Sequence, residues 1–180
     1  MILIPLAKGF EEIEAVSLID ILRRAELDIL IGGVGTLEVE GAHGIKIQAD
    51  ILVEKVKSED LEMIVLPGGW DGTYALADDA DVQRLLQEMD KEGKDIAAIC
   101  AAPYALNKAG VLKHNYTCYP SVENEIRQEG YSSEKNIVTD GNVMTSRGPG
   151  TVFEFALAIV EKLKGKKVAQ ALETGMLIKY

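Results

Sequence analysis

Short apolar runs alternate with amphipathic stretches along most of the chain, the pattern of strand-helix-strand units that assemble a mostly parallel sheet. Ile2 to Ala7 predicts a buried first strand, and Glu11 to Ala25 a helix. On that helix Phe10, Glu14, Leu18, Ile21 and Ala25 recur at the spacing of one face, which sets Glu14 in an otherwise apolar stripe. Leu27 to Ile31 predicts a second strand, followed by a turn through Gly32, Gly33 and Gly35. Leu37 to Val39 and Ile45 to Ile47 pair as a hairpin across Gly41 to Gly44, an antiparallel addition to the parallel sheet. Met63 to Leu66 is a buried strand ending at Pro67-Gly68-Gly69, and Ala80 to Glu92 an acidic helix. Asp95 to Ile99 is a strand running directly into Cys100, and Ala101 to Leu106 opens a helix with Pro103 in its first turn, where a missing N–H does no harm. Further strands are predicted at Tyr116 to Cys118, Ile137 to Thr139 and Val143 to Thr145. Thr151-Val152-Phe153-Glu154 fits a capping box for a helix to about Leu163.

Composition narrows the picture without changing it. The 180 residues, 47% apolar and 27% charged, suit one α/β domain spanning the chain, with no repeat or linker in it. A net charge of -10 disfavours nucleic acid and anionic membranes as stable partners, because each phosphate contact needs a Lys or Arg. The apolar start lacks a basic leader, breaks at Pro5 and meets Lys8-Gly9 too soon for a signal or membrane segment. Two cysteines give no disulfide framework, which favours a reducing, cytoplasmic setting.

The candidate chemistry centres on Cys100. It lies between a strand end and a helix start, at the sheet edge where open α/β proteins place their ligands. A helix N-terminus there is expected to lower the thiol pKa and make Cys100 a nucleophile, whereas most free cysteines are simply small buried residues. Glu14 has two readings. Burial raises its pKa and makes it a proton donor to sulfur, or it complements the helix dipole as Glu11 and Glu12 do. The glycines of Pro67-Gly68-Gly69 let the backbone approach a ligand, so that the N–H groups of Gly69 and Ala101 could hold an oxyanion. Ser146-Arg147-Gly148-Pro149-Gly150 reads as a closing loop rather than an anion site. His114 and Cys118 have a metal-like spacing, but His43 is distant in sequence and no Cys-x-x-Cys occurs, so no metal is expected. Gly33-Val34-Gly35 lacks the third glycine of a dinucleotide fingerprint, there is no phosphate loop, and no cofactor is expected.

Four segments together resemble the ThiJ/PfpI superfamily: Ala7 to Glu14, Val65 to Gly69, Ala97 to Pro103 and Thr145 to Thr151. The nearest branch is that of the parkinsonism-associated protein deglycase. The resemblance implies a flavodoxin-like three-layer sandwich and a homodimer. It also implies Cys100 as nucleophile, Glu14 as acid/base partner, and Gly68, Gly69 and Ala101 around an oxyanion. Activities of the family include cofactor-free conversion of methylglyoxal to lactate, repair of glyoxal-modified proteins and nucleotides, and redox-linked chaperoning. A peptidase branch has a histidine directly after the nucleophile, and here that residue is Ala101. The deglycase branch often has a histidine where this chain has Tyr119, a poor base at neutral pH, so Glu14 is expected to carry most proton transfer. Asp20 and Arg24 also match family positions, and their spacing on a helix suggests an ion pair near the site.

Overall fold

A computed structural model describes residues 1–179. Seven strands form the central sheet in the order β5-β2-β1-β6-β7-β9-β8, with β1 Ile2–Leu6, β2 Ile29–Gly33, β5 Ile51–Leu52, β6 Met63–Leu66, β7 Asp95–Ile99, β8 Ile137–Asp140 and β9 Val143–Ser146. Every pair is parallel except β8 with β9. This is a flavodoxin-like sheet with helices on both faces. The strands read as unbroken apolar runs because both faces are covered. Alternate residues serve opposite layers: Ile2, Ile4, Leu6, Met63, Val65, Ala97 and Ile99 face one core, and Leu3, Ile64, Leu66, Ile96 and Ala98 the other.

The first core is closed chiefly by α1 Glu12–Arg24 and α6 Val152–Lys164, the second by α2 Trp70–Asp78, α3 Ala80–Lys91 and α4 Pro103–Lys108. On α1 the expected stripe is buried throughout, from Phe10 through Glu14, Leu18 and Ile21 to Ala25.

Five expectations need correction. Gly32 and Gly33 are not in a turn but end β2, paired with Pro5 and Leu6 of β1. The hairpin forms, as β3 Glu38–Glu40 with β4 Lys46–Gln48, but as a separate two-stranded sheet rather than an extension of the main one. Tyr116 to Cys118 is not a strand: Tyr116 makes an isolated bridge to Tyr131, and the Thr117 N–H donates to Thr145 Oγ1 at 2.9 Å instead of to a ladder. Thr151 does not cap α6, because its Oγ1 accepts from the Gly148 N–H at 3.1 Å and meets Ser146 Oγ at 2.8 Å, while Glu154 pairs with Asn136. The helix after Cys100 is only six residues long and starts three residues beyond it, at Pro103. Among the described residues no helix is long and apolar enough to cross a membrane.

Candidate active site

The chain passes from β1 to β2 on one side and returns to β6 on the other, so a crevice opens at the carboxyl ends of the central strands. Three strand exits converge there, after β1, β6 and β7. Gly9, Glu11, Gly69 and Cys100 from these exits line a cleft of about 370 Å³ together with Ala42, His43, Trp70, Asp71, Ala101, Tyr119 and Pro149.

Cys100 is the sharpest feature. Its φ is 64°, a left-handed conformation that costs a residue with a Cβ roughly 1–2 kcal/mol. Two hydrogen bonds hold it there: the Cys100 N–H donates to Ser146 O at 3.0 Å, and Cys100 O accepts from the Tyr119 N–H at 2.8 Å. The turn presents the thiol from the strand end at the cleft, with 9% of the residue exposed. Cys118 is fully buried, and burial together with the charge of Glu123 pushes its thiol up to about 12.

Glu14 is also fully buried, and its carboxylate does not serve its own helix. Oε2 accepts the Gly68 N–H at 2.7 Å across the strand exits, and Oε1 has no hydrogen-bond partner. Burial raises its pKa to about 7, against the pull of the Gly68 N–H and of the neighbouring Cys100 thiol. Glu14 stands in the first turn of α1, but its bond to Gly68 across the strand exits goes beyond a helix-dipole role. The Gly68 N–H is taken by this acid, so Gly68 positions Glu14 instead of holding substrate. A Cβ on Gly68 would stand 2.7 Å from Cys100 Cβ and 2.8 Å from Glu14 Oε2, which is why the position holds glycine.

The expected lowering of the Cys100 pKa is not what this environment produces. Burial and the negative charge of Glu14 push the thiol upward, while the N–H groups of Ala101 and Gly69 pull it down. With α4 so short and starting at Pro103, those two amides replace the helix dipole as the stabilising groups. Glu14 and Cys100 thus behave as one pair that gives up a single proton readily and resists losing the second. The carboxyl loses its proton first, and the raised thiol is the stronger holder of the one that remains.

The other expected residues divide. Gly69, with φ 92°, and Ala101 aim their N–H groups at the sulfur, and Tyr119 stands half-exposed at the cleft. Asp20 and Arg24 form the expected ion pair, 2.8 Å apart, but both are exposed and neither lines the cleft. Arg147 directly follows β9, with Nε buried and without a hydrogen-bond partner.

Sequence reasoning missed His43. Its N–H donates to Glu12 Oε1 at 2.6 Å and its Nδ1 lies 2.8 Å from Glu12 Oε2, which ties the hairpin to α1 at the cleft mouth. Glu11, Glu12 and His43 bring one ligand atom each within 4.8 Å, but the Glu12 oxygens already serve the hairpin. Burial works to raise the Glu12 pKa, and the bonds from His43 and Ile45 outweigh it, so it lies below the ordinary value. The Glu12 bond and the Glu11 charge raise that of His43.

Residues 1–162 match the DJ-1/PfpI family. The chain belongs to that family. It is 41% identical to Protein DJ-1 homolog A of Arabidopsis thaliana, over 98% of this chain and 46% of that protein, so it spans about half of that relative's length. It is 38% identical to the Glutathione-independent glyoxalase DJR-1.2 of Caenorhabditis elegans, over 96% of this chain and 92% of that one. The crystal structure of Drosophila melanogaster DJ-1beta superposes with a TM-score of 0.95 at 39% identity, covering 99% of this chain and 98% of that one. Membership of the DJ-1/PfpI family agrees with the sheet order and with a cleft at the strand exits.

Proposed function

We propose that the protein is a cysteine-dependent glyoxalase that consumes methylglyoxal and also removes glyoxal adducts from proteins and nucleotides. The observation that carries this reading is the pairing of Cys100, strained at a cleft floor, with a buried Glu14 whose pKa lies near 7. A family relative named as a glyoxalase supports it.

The Cys100 sulfur adds to the aldehyde carbon as the Glu14 carboxylate takes the thiol proton, forming a C–S bond and an alkoxide that the Gly69 and Ala101 N–H groups are placed to receive. Glu14 supplies a proton and removes one, moving hydrogen from the former aldehyde carbon to the adjacent carbonyl carbon. The product of that transfer is a thioester. Water cleaves its C–S bond to release lactate and restore the thiol. The aldehyde carbon is oxidised as its neighbour is reduced, so the sequence balances with water alone and needs no external oxidant. On a glyoxal adduct the former aldehyde carbon carries the side-chain nitrogen, so the C–S bond forms as the C–N bond breaks and Glu14 protonates the departing nitrogen, after which isomerisation and hydrolysis proceed as before.

The test is methylglyoxal loss followed with wild type and Cys100→Ala. Loss at the background rate in the variant is expected, and equal rates would overturn the reading.

A second reading, a redox sensor with chaperone activity, draws on the contrast between the two thiols. Cys100 opens on the cleft and Cys118 is sealed. Mild peroxide should add two oxygens to Cys100 before Cys118 changes, read by mass spectrometry. Equal oxidation of both thiols counts against it.

A further inference from the structure

Strand β9 is buried along its whole length, yet its last two residues are Thr145 and Ser146, hydroxyls at positions where apolar side chains would suit the core. A buried hydroxyl costs free energy unless it is bonded, so the partners of each show what the position requires. Ser146 Oγ donates to Asn136 O at 2.8 Å, which extends the pairing of β9 with β8 one residue beyond Ile137. Thr145 Oγ1 accepts the Thr117 N–H at 2.9 Å, with its own hydrogen turned to Val138 O at 3.4 Å. Residues 116–118 pair with no strand of the main sheet. Among the described residues the bond to Thr145 is the one hydrogen bond from their backbone to that sheet.

The tether bears on Cys100. A trans peptide is planar, with its C=O and N–H on opposite sides, so the φ and ψ of Cys100 are fixed once the planes before and after it are held. The first is held by the Cys100 N–H on Ser146 O at 3.0 Å, the second by the Tyr119 N–H on Cys100 O at 2.8 Å. That second plane carries the Ala101 N–H, one of the two amides beside the sulfur. Tyr119 lies two residues after Thr117. The Thr145 hydroxyl thus reaches the nucleophile by a short route, through Thr117 and Tyr119 to the Cys100 carbonyl, and across that peptide to the Ala101 N–H.

We propose that Thr145 is a positioning residue for the Cys100 turn, its hydroxyl holding residues 117–119 so that the Ala101 N–H faces the alkoxide formed at Cys100. The catalytic consequence rests on the function proposed above, whereas the anchor is a property of the fold and is read without turnover.

Thr145→Val keeps the shape but leaves the Thr117 N–H without its acceptor, and Thr145→Ser keeps the hydroxyl. Native-state hydrogen exchange followed by NMR should show the Thr117 and Tyr119 amides exchanging at least about tenfold faster in the Val variant, with those of β1 and β6 unchanged and the Ser variant close to wild type. With methylglyoxal, a misaimed donor acts on the transition state, so kcat and kcat/KM should fall together by about tenfold to a hundredfold at nearly constant KM. The Ser variant should stay within about threefold of wild type. A Val variant that melts lower but keeps its kcat makes Thr145 a packing residue and overturns the proposal. A Ser variant as slow as Val does so too, since it traces the loss to the methyl group, and so does exchange that quickens uniformly across the sheet. Should the Val variant not fold, Thr145→Cys, whose sulfur is a weak acceptor, replaces it under the same criteria. If wild type consumes no methylglyoxal, the glyoxalase reading falls, and exchange at Thr117 and Tyr119 alone decides the anchor.

Discussion

Cys100 holds a backbone angle that a side chain ordinarily avoids, and that strain is the cost of aiming the sulfur at the end of a central strand. The two backbone bonds to Ser146 and Tyr119 hold the turn whatever the side chain is. Nucleophile and acid can therefore be changed separately. Glu14→Gln keeps an acceptor for the Gly68 N–H but has no proton to give, so kcat for methylglyoxal should fall by roughly 10²–10⁴-fold. Iodoacetamide should still alkylate Cys100 in that variant, since the Gly69 and Ala101 amides remain beside the sulfur. If kcat survives the change, Glu14 is not the proton carrier. Gly68→Ala attacks the pair from the side. Its Cβ would lie 2.7 Å from Cys100 Cβ, 2.8 Å from Glu14 Oε2 and 3.1 Å from the Ala101 nitrogen, so it must push acid, thiol and amide apart. Activity should drop at least about tenfold with the protein still folded, which circular dichroism alongside the kinetics would check.

At the scale of elements, the site is built from strand exits, and the same feature explains what was legible beforehand. Apolar runs ending at Gly68-Gly69 and Cys100 marked where the sheet stops, and the period of α1 placed Glu14 on its buried face. The cleft walls were harder to see. Glu12 looked like one more acid complementing a helix dipole, and only the folded hairpin shows it accepting the His43 N–H across 31 positions of sequence. The helix α2 was hidden because Gly72 sits in its first turn, where local propensity favours a bend. That glycine is required by packing: a Cβ there would lie 2.8 Å from the Phe10 nitrogen, so α2 could not approach the β1 exit. Tyr116 to Cys118 has strand-like alternation but no neighbouring strand to complete a ladder, a condition that no local pattern reveals. The Glu12 tether yields its own prediction. Glu12→Ala leaves the N–H groups of His43 and Ile45 without their acceptor, at about 1–3 kcal/mol for a lost charged partner. Hydrogen exchange at those two amides should speed up while the amides of β6 and β7 keep their protection, and uniform loosening of both would refute a local tether.

For the molecule as a whole, two buried carboxylates of opposite behaviour set the response to pH. Glu12 and Glu14 are both buried, yet the Glu12 pKa is lowered by its hairpin bonds and that of Glu14 is raised to about 7 by burial. The stability that Glu12 contributes is present above the unfolded value of 4.5 and is lost as the solution is acidified through its lower folded pKa. Glu14 works the other way. Between 4.5 and about 7 the folded chain holds a proton there that the unfolded chain has released, so stability falls as pH rises through that window. His43, raised by Glu12, adds in the same direction, with its contribution lost as pH rises through its folded pKa, but it is exposed and screened. The protein should therefore melt at a higher temperature near pH 5.5 than at pH 8. Ionising Glu14 inside the core accounts for a difference on the order of 2 kcal/mol between those two pH values, or several degrees in a chain of this length. Glu14→Gln removes the titrating group while keeping its shape, so its melting temperature should exceed that of wild type at pH 8 by more than it does at pH 5.5. Thermal unfolding of both proteins at the two pH values decides the matter, and a Gln variant that retains the full wild-type difference would place the origin of the pH response elsewhere.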